Sequence, residues 1–344
     1  MLPSRSLVIA ATQTSTIQPA ILGTGFSVPS RVVGNDDPVF DYQREHQPSG
    51  GNLFQGYHQR RFLSAGEQID GFTEAACRQA LAGAKLVATD VDRLLGCSTV
   101  SLASTPNEIG RMHAALGLRA NTRVLAINTE FTNFIDALEI ANSAIKAGDY
   151  RIALLAFGSN WSRYLDFRTS PSLSVGDGSG ACVLGPATSA NQFRIVDSEA
   201  LVDSQYFDTM QMAPIADPEF GQRFTHPYFQ ILPGGADGFT NFAIPSVPQC
   251  VNALIQRHGL TGADISLATH QASSVMMDVW QKEIQPRYYA STFDDHANTT
   301  LAALPITLAA RYDDIPTDWV VLCGVGHYFH TTALLLGRNL PAES

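Results

Sequence analysis

Arg151 is followed by six apolar residues in a row, Ile152-Ala-Leu-Leu-Ala-Phe157. A run that short and unbroken reads as a strand with both faces covered, as in a parallel sheet between helices. The segment before it supplies such a cover. From Thr132 to Ala147, the residues Phe134, Ile135, Leu138, Ala141 and Ile145 recur at three- and four-residue steps, which is one apolar helical stripe. Upstream, residues 70–88 have helical spacing, Val91 to Val100 forms a buried strand, Pro106 opens a helix with Glu108 close behind, and Val124 to Ile127 forms another buried strand. Residues 36–66 are polar, aromatic and Gly-rich, and predict a long surface excursion.

After Gly185-Pro186 the pattern starts again. A strand at Phe193 to Val196 leads into an irregular stretch to about 240, then a proline-bearing helix (240–258) and a strand from Ile265 to Ala268. Helices at 274–284 and 299–311 follow, and a hairpin-like pair, Trp319 to Cys323 and Thr332 to Leu336, closes the chain. Two runs of alternating strands and helices predict an α/β protein. The expected divisions are an N-terminal extension (1–17) and two halves, 18–186 and 187–344.

Apolar residues at 45% and charged ones at 16% describe a packed globule. The net charge of -10, from 22 basic and 32 acidic residues without a basic run, argues against nucleic acid or an anionic membrane as partner. Five cysteines without a CxxC pair argue against a disulfide framework or a zinc site, and for a reducing compartment. The only apolar stretch of the leader, Leu7 to Ala11, is too short for a secretory core, and no window approaches a membrane span. A cytoplasmic location is expected.

Three segments carry chemistry. Ala126 to Leu138 is a strand turning directly into a helix, and a side chain at that junction sits over backbone N–H groups and the positive end of the dipole. A cysteine placed there becomes a nucleophile. The residue is Phe131, with Glu130 before it. His270 follows a buried strand, in Thr269-His-Gln-Ala-Ser273, and Asn298 lies in Asp294 to Thr300. Presented from two loops, a His and an Asn can polarise a thioester carbonyl, and the His can act as general base. The strand Cys323-Gly-Val-Gly-His327 enters a Gly turn that can bring a backbone N–H to an oxyanion. Each feature has a plainer reading. Asn298 can cap a helix, Glu130 can simply be stabilised beside a helix N-terminus, and Cys97 reads as a small buried hydrophobe. His113 and His330 read as structural, while His327 has a better claim to the site by position.

Together these segments resemble the ketoacyl-synthase III family. The opening Ile21-Leu-Gly-Thr-Gly-Phe-Ser-Val-Pro29, the loop Gly56 to Arg61 (GYHQRR), the glycine motif Gly176 to Ala181 (GDGSGA), HQAS from His270, HANTT from His296 and the closing Gly324 to Leu336 occur in family order. The likeness covers nearly all of residues 18–340. It implies a thiolase-like, five-layered αβαβα fold of two similar halves that dimerises through the N-terminal half. It also implies that His270 and Asn298 are the catalytic pair, that Gly326 lines the oxyanion hole, and that Phe131 stands at the nucleophilic-cysteine position. The GDGSGA glycines are read as allowing close packing beside the site.

Three departures accompany it. No thiol stands at 131. The loop where relatives stack coenzyme A reads Gly50-Gly-Asn-Leu-Phe-Gln-Gly-Tyr-His58, and His327 replaces a third glycine. The resemblance implies acyl transfer from an acyl-CoA or acyl-carrier-protein thioester in specialised-metabolite or fatty-acid-type biosynthesis, with no permanently bound cofactor and no metal. Two alternatives stay open: a non-catalytic partner subunit of a ketosynthase heterodimer, or a Cys-to-Phe variant of a condensing enzyme.

Overall fold

The computed structural model describes residues 17–46, 53–101, 103, 105–216 and 223–340. The strands in chain order are β1 (Pro19–Ser27), β2 (Val32–Gly34), β3 (Gln59–Arg61), β4 (Arg93–Thr99), β5 (Arg123–Ala126), β6 (Ala153–Ser159) and β7 (Gly178–Pro186). They continue as β8 (Arg194–Val202), β9 (Met210–Ala216), β10 (Arg223–Ile231), β11 (Ile265–Thr269), β12 (Tyr288–Tyr289), β13 (Trp319–Gly326) and β14 (His330–Gly337). The main sheet runs β12-β11-β13-β14-β8-β1-β7-β6-β4-β5. Its two sides meet where Ala20 of β1 faces Arg194 of β8. Reading outward from that join, each side places its strands as first, fifth, fourth, second and third of its own run. The same permutation is thus used twice. In each half the outer three strands, β4 with β5 and β6, and β11 with β12 and β13, are parallel. Their C-terminal ends therefore open toward one edge, where ligands bind in such sheets.

Helices layer the sheet. The Asn133–Ala147 and Ala303–Arg311 helices share one core with strands of both halves: Phe134, Leu138 and Ile145 pack with Leu155, Leu304, Leu308, Leu322 and Leu334. Helix Ile69–Gly83 covers the outer face of the first half, and helices Ile244–Arg257 and Ser274–Ile284 that of the second. The result is the five-layered αβαβα arrangement. Each fully buried Leu or Phe in the middle layer contributes about 2 kcal/mol, and Leu138→Ala would cost about 2–5 kcal/mol through its cavity. The GDGSGA glycines pack as expected: a Cβ on Gly180 would lie 2.7–2.8 Å from Ile306 N and Pro305 atoms, which lets the Ala303–Arg311 helix settle on β7.

Several expectations need correction. The strand at 124–127 is not a buried one: Val124 to Ala126 are partly or fully exposed, and only Ile127, just past its end, is buried. β5 is the last strand of the sheet, bonded to β4 on one side, and Leu125 is 50% exposed. The irregular stretch before 240 contains a β-hairpin, β9–β10, whose prolines Pro214 and Pro227 disguise it in sequence. They face each other in a two-stranded ribbon, where every strand has a free edge that tolerates proline. Pro106 does not open the next helix. Asn107 caps it, its Oδ1 accepting from the Ile109 N–H at 3.0 Å, and a 3-10 turn (Glu108–Arg111) leads into Met112–Leu116. The 36–66 excursion is closed by pairing of β2 with β3. Arg60 there is fully buried, donating to Asn35 Oδ1 at 3.0 Å and lying 4.6 Å over the Phe40 ring and 4.9 Å over Tyr57. Residues 1–16 of the N-terminal extension and residues 47–52, which include Gly50 to Asn52 of the Gly50–His58 loop, lie outside the described residues.

Candidate active site

Four chain turns meet at the open edge of the sheet. After β5 the chain passes Ile127 and reaches Phe131 just before the Asn133–Ala147 helix. Asn133, fully buried, ties this turn down by donating from Nδ2 to Ile127 O at 3.1 Å. β11 delivers His270, whose backbone N–H donates to Cys323 O at 2.8 Å and extends the β11–β13 ladder by one residue. β13 ends at Gly326. Asn298 is fixed through its backbone, its N–H donating to Ser174 O at 2.7 Å and its carbonyl accepting from Gly176 N–H at 2.9 Å. Its Oδ1 accepts from the Thr300 N–H at 2.9 Å, a local turn and not a helix cap, since Thr299 is the N-cap of the short helix that follows.

The structure brings Phe131, His270, Asn298 and Gly326 together around one cavity of about 320 Å³. The Phe131 ring lies flat on the His270 imidazole, with centroids 4.4 Å apart and planes 7° from parallel. It meets His327 edge-on at 4.7 Å and Trp161 at 5.5 Å. Stacking covers a face of the His270 ring, which is buried at 3% exposure. Nδ1 is enclosed and has no hydrogen-bond partner among the described residues.

Burial, helped by the neighbouring His327, pulls the His270 pKa down to about 3. His327 is pulled down to about 3 by burial and by His330, and His330 to about 4 by burial. These imidazoles are neutral at neutral pH, so His270 is in the form that accepts a proton. Glu130 does not line the cavity. Its Oε2 is enclosed, and burial pushes the carboxyl up to about 7 against an opposing hydrogen bond from Thr99. Its backbone carbonyl accepts the His327 N–H at 2.7 Å. His327 also stands outside the lining, behind Phe131. All five cysteines are buried and none lines the cavity. Cys97 is one of them, its thiol pushed well up by burial, as a small hydrophobe should be.

Behind the turn lies a polar chain that the sequence did not disclose. Asp136 accepts from Thr132 Oγ at 2.8 Å, and that oxygen lies 2.7 Å from His330 Nε2. A Cβ on Gly326 would fall 1.8 Å from the His330 ring and 2.3 Å from Glu130 O. Asp136, Thr132 and His330 therefore buttress the glycine turn. Among the described residues, no group of His, Cys, Asp and Glu side chains is placed to hold a metal ion, and no helix is long and apolar enough to cross a membrane.

Known proteins resemble this chain in sequence and fold. Residues 125–204, which include Phe131, match the family described as 3-oxoacyl-[acyl-carrier-protein (ACP)] synthase III. The beta-ketoacyl-[acyl-carrier-protein] synthase III of Rhodospirillum rubrum is 31% identical over 263 residues, which span 74% of this chain and 79% of that protein. This chain belongs to the ketoacyl-synthase III family. Its relative of the same name in Rhodospirillum centenum is 29% identical over 87% of this chain and 91% of that one. Among solved structures, the Aquifex aeolicus 3-oxoacyl-[acyl-carrier-protein] synthase III superposes with a TM-score of 0.79 at 20% identity, covering 93% of this chain and all of the other. The priming beta-ketosynthase of the R1128 polyketide pathway gives 0.80 at 22% identity, covering 96% of this chain. Those two likenesses concern the fold, a thiolase-type α/β fold.

Sequence reasoning missed most of the cavity wall of this family member. Trp161, Met210, Phe229, Phe239, Met276 and Trp280 all line it. Trp161 had a usable signal, since it follows the end of the buried strand β6. The others lie on a hairpin and on helices whose apolar residues look like ordinary core in one dimension.

Proposed function

We propose that this ketoacyl-synthase III-like protein is an acyltransferase that moves an acyl group from a thioester directly to an acceptor, without an acyl-cysteine intermediate. The observation that carries this reading is the site's composition: a His and an Asn of the family pattern share a cavity with Phe131 at the expected nucleophile position and with no thiol. An acyl-CoA or an acyl carrier protein would deliver the thioester; the names of the relatives mention an acyl carrier protein for them. Its carbonyl oxygen would face Gly326 and Asn298. His270, held neutral, would take the proton of an acceptor hydroxyl, amine or carbon acid as that atom bonds to the acyl carbon. The C–S bond breaks, and the same proton passes to the departing thiolate. No permanently bound cofactor is required. The setting would be fatty-acid or specialised-metabolite biosynthesis.

We take the assembly to be a homodimer formed through the first half, where β5 leaves an open edge beside the exposed Leu125 and Ile140. A second reading is favoured by one observation, the Phe131 ring lying over His270. In that reading the ring plugs the site, and a ketosynthase-like sister chain bearing a cysteine does the chemistry. Steady-state kinetics with intact-protein mass spectrometry separates the two. Thiol release with intersecting initial-rate patterns and no acyl adduct supports direct transfer. An acyl adduct on any residue removes it, and inactivity relieved only by a co-purifying sister chain establishes the plugged subunit. Phe131→Cys adds a further arm: gain of a covalent acyl adduct and of condensation would show an otherwise complete condensing site.

A further inference from the structure

The cavity wall says more about the acyl group than the catalytic residues do. Among the described residues that line it there is no Asp, Glu, Lys or Arg, and the polar groups are His270, Asn298 and a few hydroxyls. A buried carboxylate needs a cation or several donors, and without them it is costly. The apolar wall is dominated by ring faces. Phe131, Trp161 and Phe229 form a continuous cluster, with Trp161 at 5.5 Å from Phe131 and 5.1 Å from Phe229. Phe239, Met210 and Met276 also line the cavity, with the fully buried Trp280 bordering it.

Both indoles are held in place before any ligand arrives. Trp161 Nε1–H donates to Thr99 Oγ at 3.0 Å, and Trp280 Nε1–H donates to Ile244 O at 3.0 Å. Trp161 is 2% exposed and Trp280 fully buried, so neither ring is free to swing aside. Fixed aromatic walls favour a flat partner, which can take stacked or edge-to-face positions without distorting them. Thioether sulfurs add favourable contacts at ring edges. A dry cavity of roughly 150 Å³ is enough for a benzene ring, so about 320 Å³ holds an aryl group together with its thioester carbonyl.

We infer that the acyl group taken by this site is uncharged and aromatic, of benzoyl or arylacetyl size, and not a straight alkyl chain or a dicarboxylic acyl group. This rests on the acyl-transfer reading above and narrows its substrate class.

The test uses the full-length protein and four N-acetylcysteamine thioesters, benzoyl, phenylacetyl, hexanoyl and malonyl, with binding measured by calorimetry and thiol release followed in parallel. The aryl thioesters should bind about tenfold more tightly than hexanoyl, the gain expected from two added ring–ring contacts, and malonyl should bind at least about a hundredfold more weakly than benzoyl. Trp161→Leu should bring the aryl-to-hexanoyl ratio to within about threefold, and Trp161→Phe should retain most of it. Hexanoyl or malonyl binding as well as benzoyl, with thiol release intact, overturns this inference and leaves acyl transfer standing. An aryl preference unchanged in Trp161→Leu also overturns it. Failure of all four to bind or to release thiol sinks both readings.

Discussion

The two walls of the cavity come from different halves of the chain and hold their residues by different means. On the second-half wall, His270 and Asn298 are each pinned through the backbone by neighbouring strands and loops. On the first-half wall, Phe131 is held by ring packing, while its neighbours Glu130 and Thr132 carry the hydrogen bonds of the turn. A backbone-pinned residue is held whatever its side chain does, so its chemistry can be kept without further support. A side chain at a helix entrance can be exchanged more freely, because the turn is fixed by Asn133, Thr132 and Asp136 and not by residue 131 itself. A change of residue at 131 therefore need not dismantle the rest of the cavity.

That contrast can be broken most severely where the walls touch. Gly326→Ala puts a methyl group into the His330 ring and the Glu130 carbonyl. We expect a loss of at least about 3 kcal/mol in denaturant unfolding, or failure to fold; a fully stable variant would show that the turn is looser than described. On the second-half wall, His270→Ala should lower thiol release by roughly a hundredfold or more, with a far smaller change in melting temperature. Equal activity in this variant would remove His270 from the chemistry. On the first-half wall, Thr132→Val deletes the link between Asp136 and His330. It should cost about 1–3 kcal/mol, because polar groups are left buried without partners. Thr132→Ser should recover most of that loss.

The pH response is the mildest and sharpest probe. His270, His327 and His330 have native pKa values below the ordinary histidine value, so the unfolded chain takes up their protons first as pH falls. Their contribution is complete above about 6.5 and drains away below it, by about 1.4 kcal/mol per pH unit for each imidazole. Glu130, raised to about 7, and Asp177, raised to about 6, act in the opposite sense, since the native state holds their protons longer and gains as pH falls. Melting temperature should therefore fall from pH 6.5 to 4.5. Glu130→Gln removes one opposing carboxyl and should steepen the fall. A flat profile in the wild type would mean that the imidazoles are better solvated than their burial implies.

Much of this protein was legible in one dimension. Unbroken apolar runs such as Ile152 to Phe157 and the stripe from Phe134 to Ile145 specify covered strands and core helices, because the periods of strand and helix are local properties. Three cavity-lining residues were legible for a related reason: His270, Asn298 and Gly326 lie in short motifs, two of them at the ends of β11 and β13, where the order of segments is informative. Tertiary structure alone decided the rest. β5 has an interior strand's composition and an edge strand's exposure, since its neighbours are set by sheet order. The β9–β10 hairpin was hidden by Pro214 and Pro227, which are harmless only because they face each other. Nothing near Thr132 in sequence announces His330, nearly two hundred residues away, and the Trp161 and Trp280 faces become one cavity wall only when both halves fold. Contacts between distant segments depend on how whole elements pack, and local pattern carries no record of that.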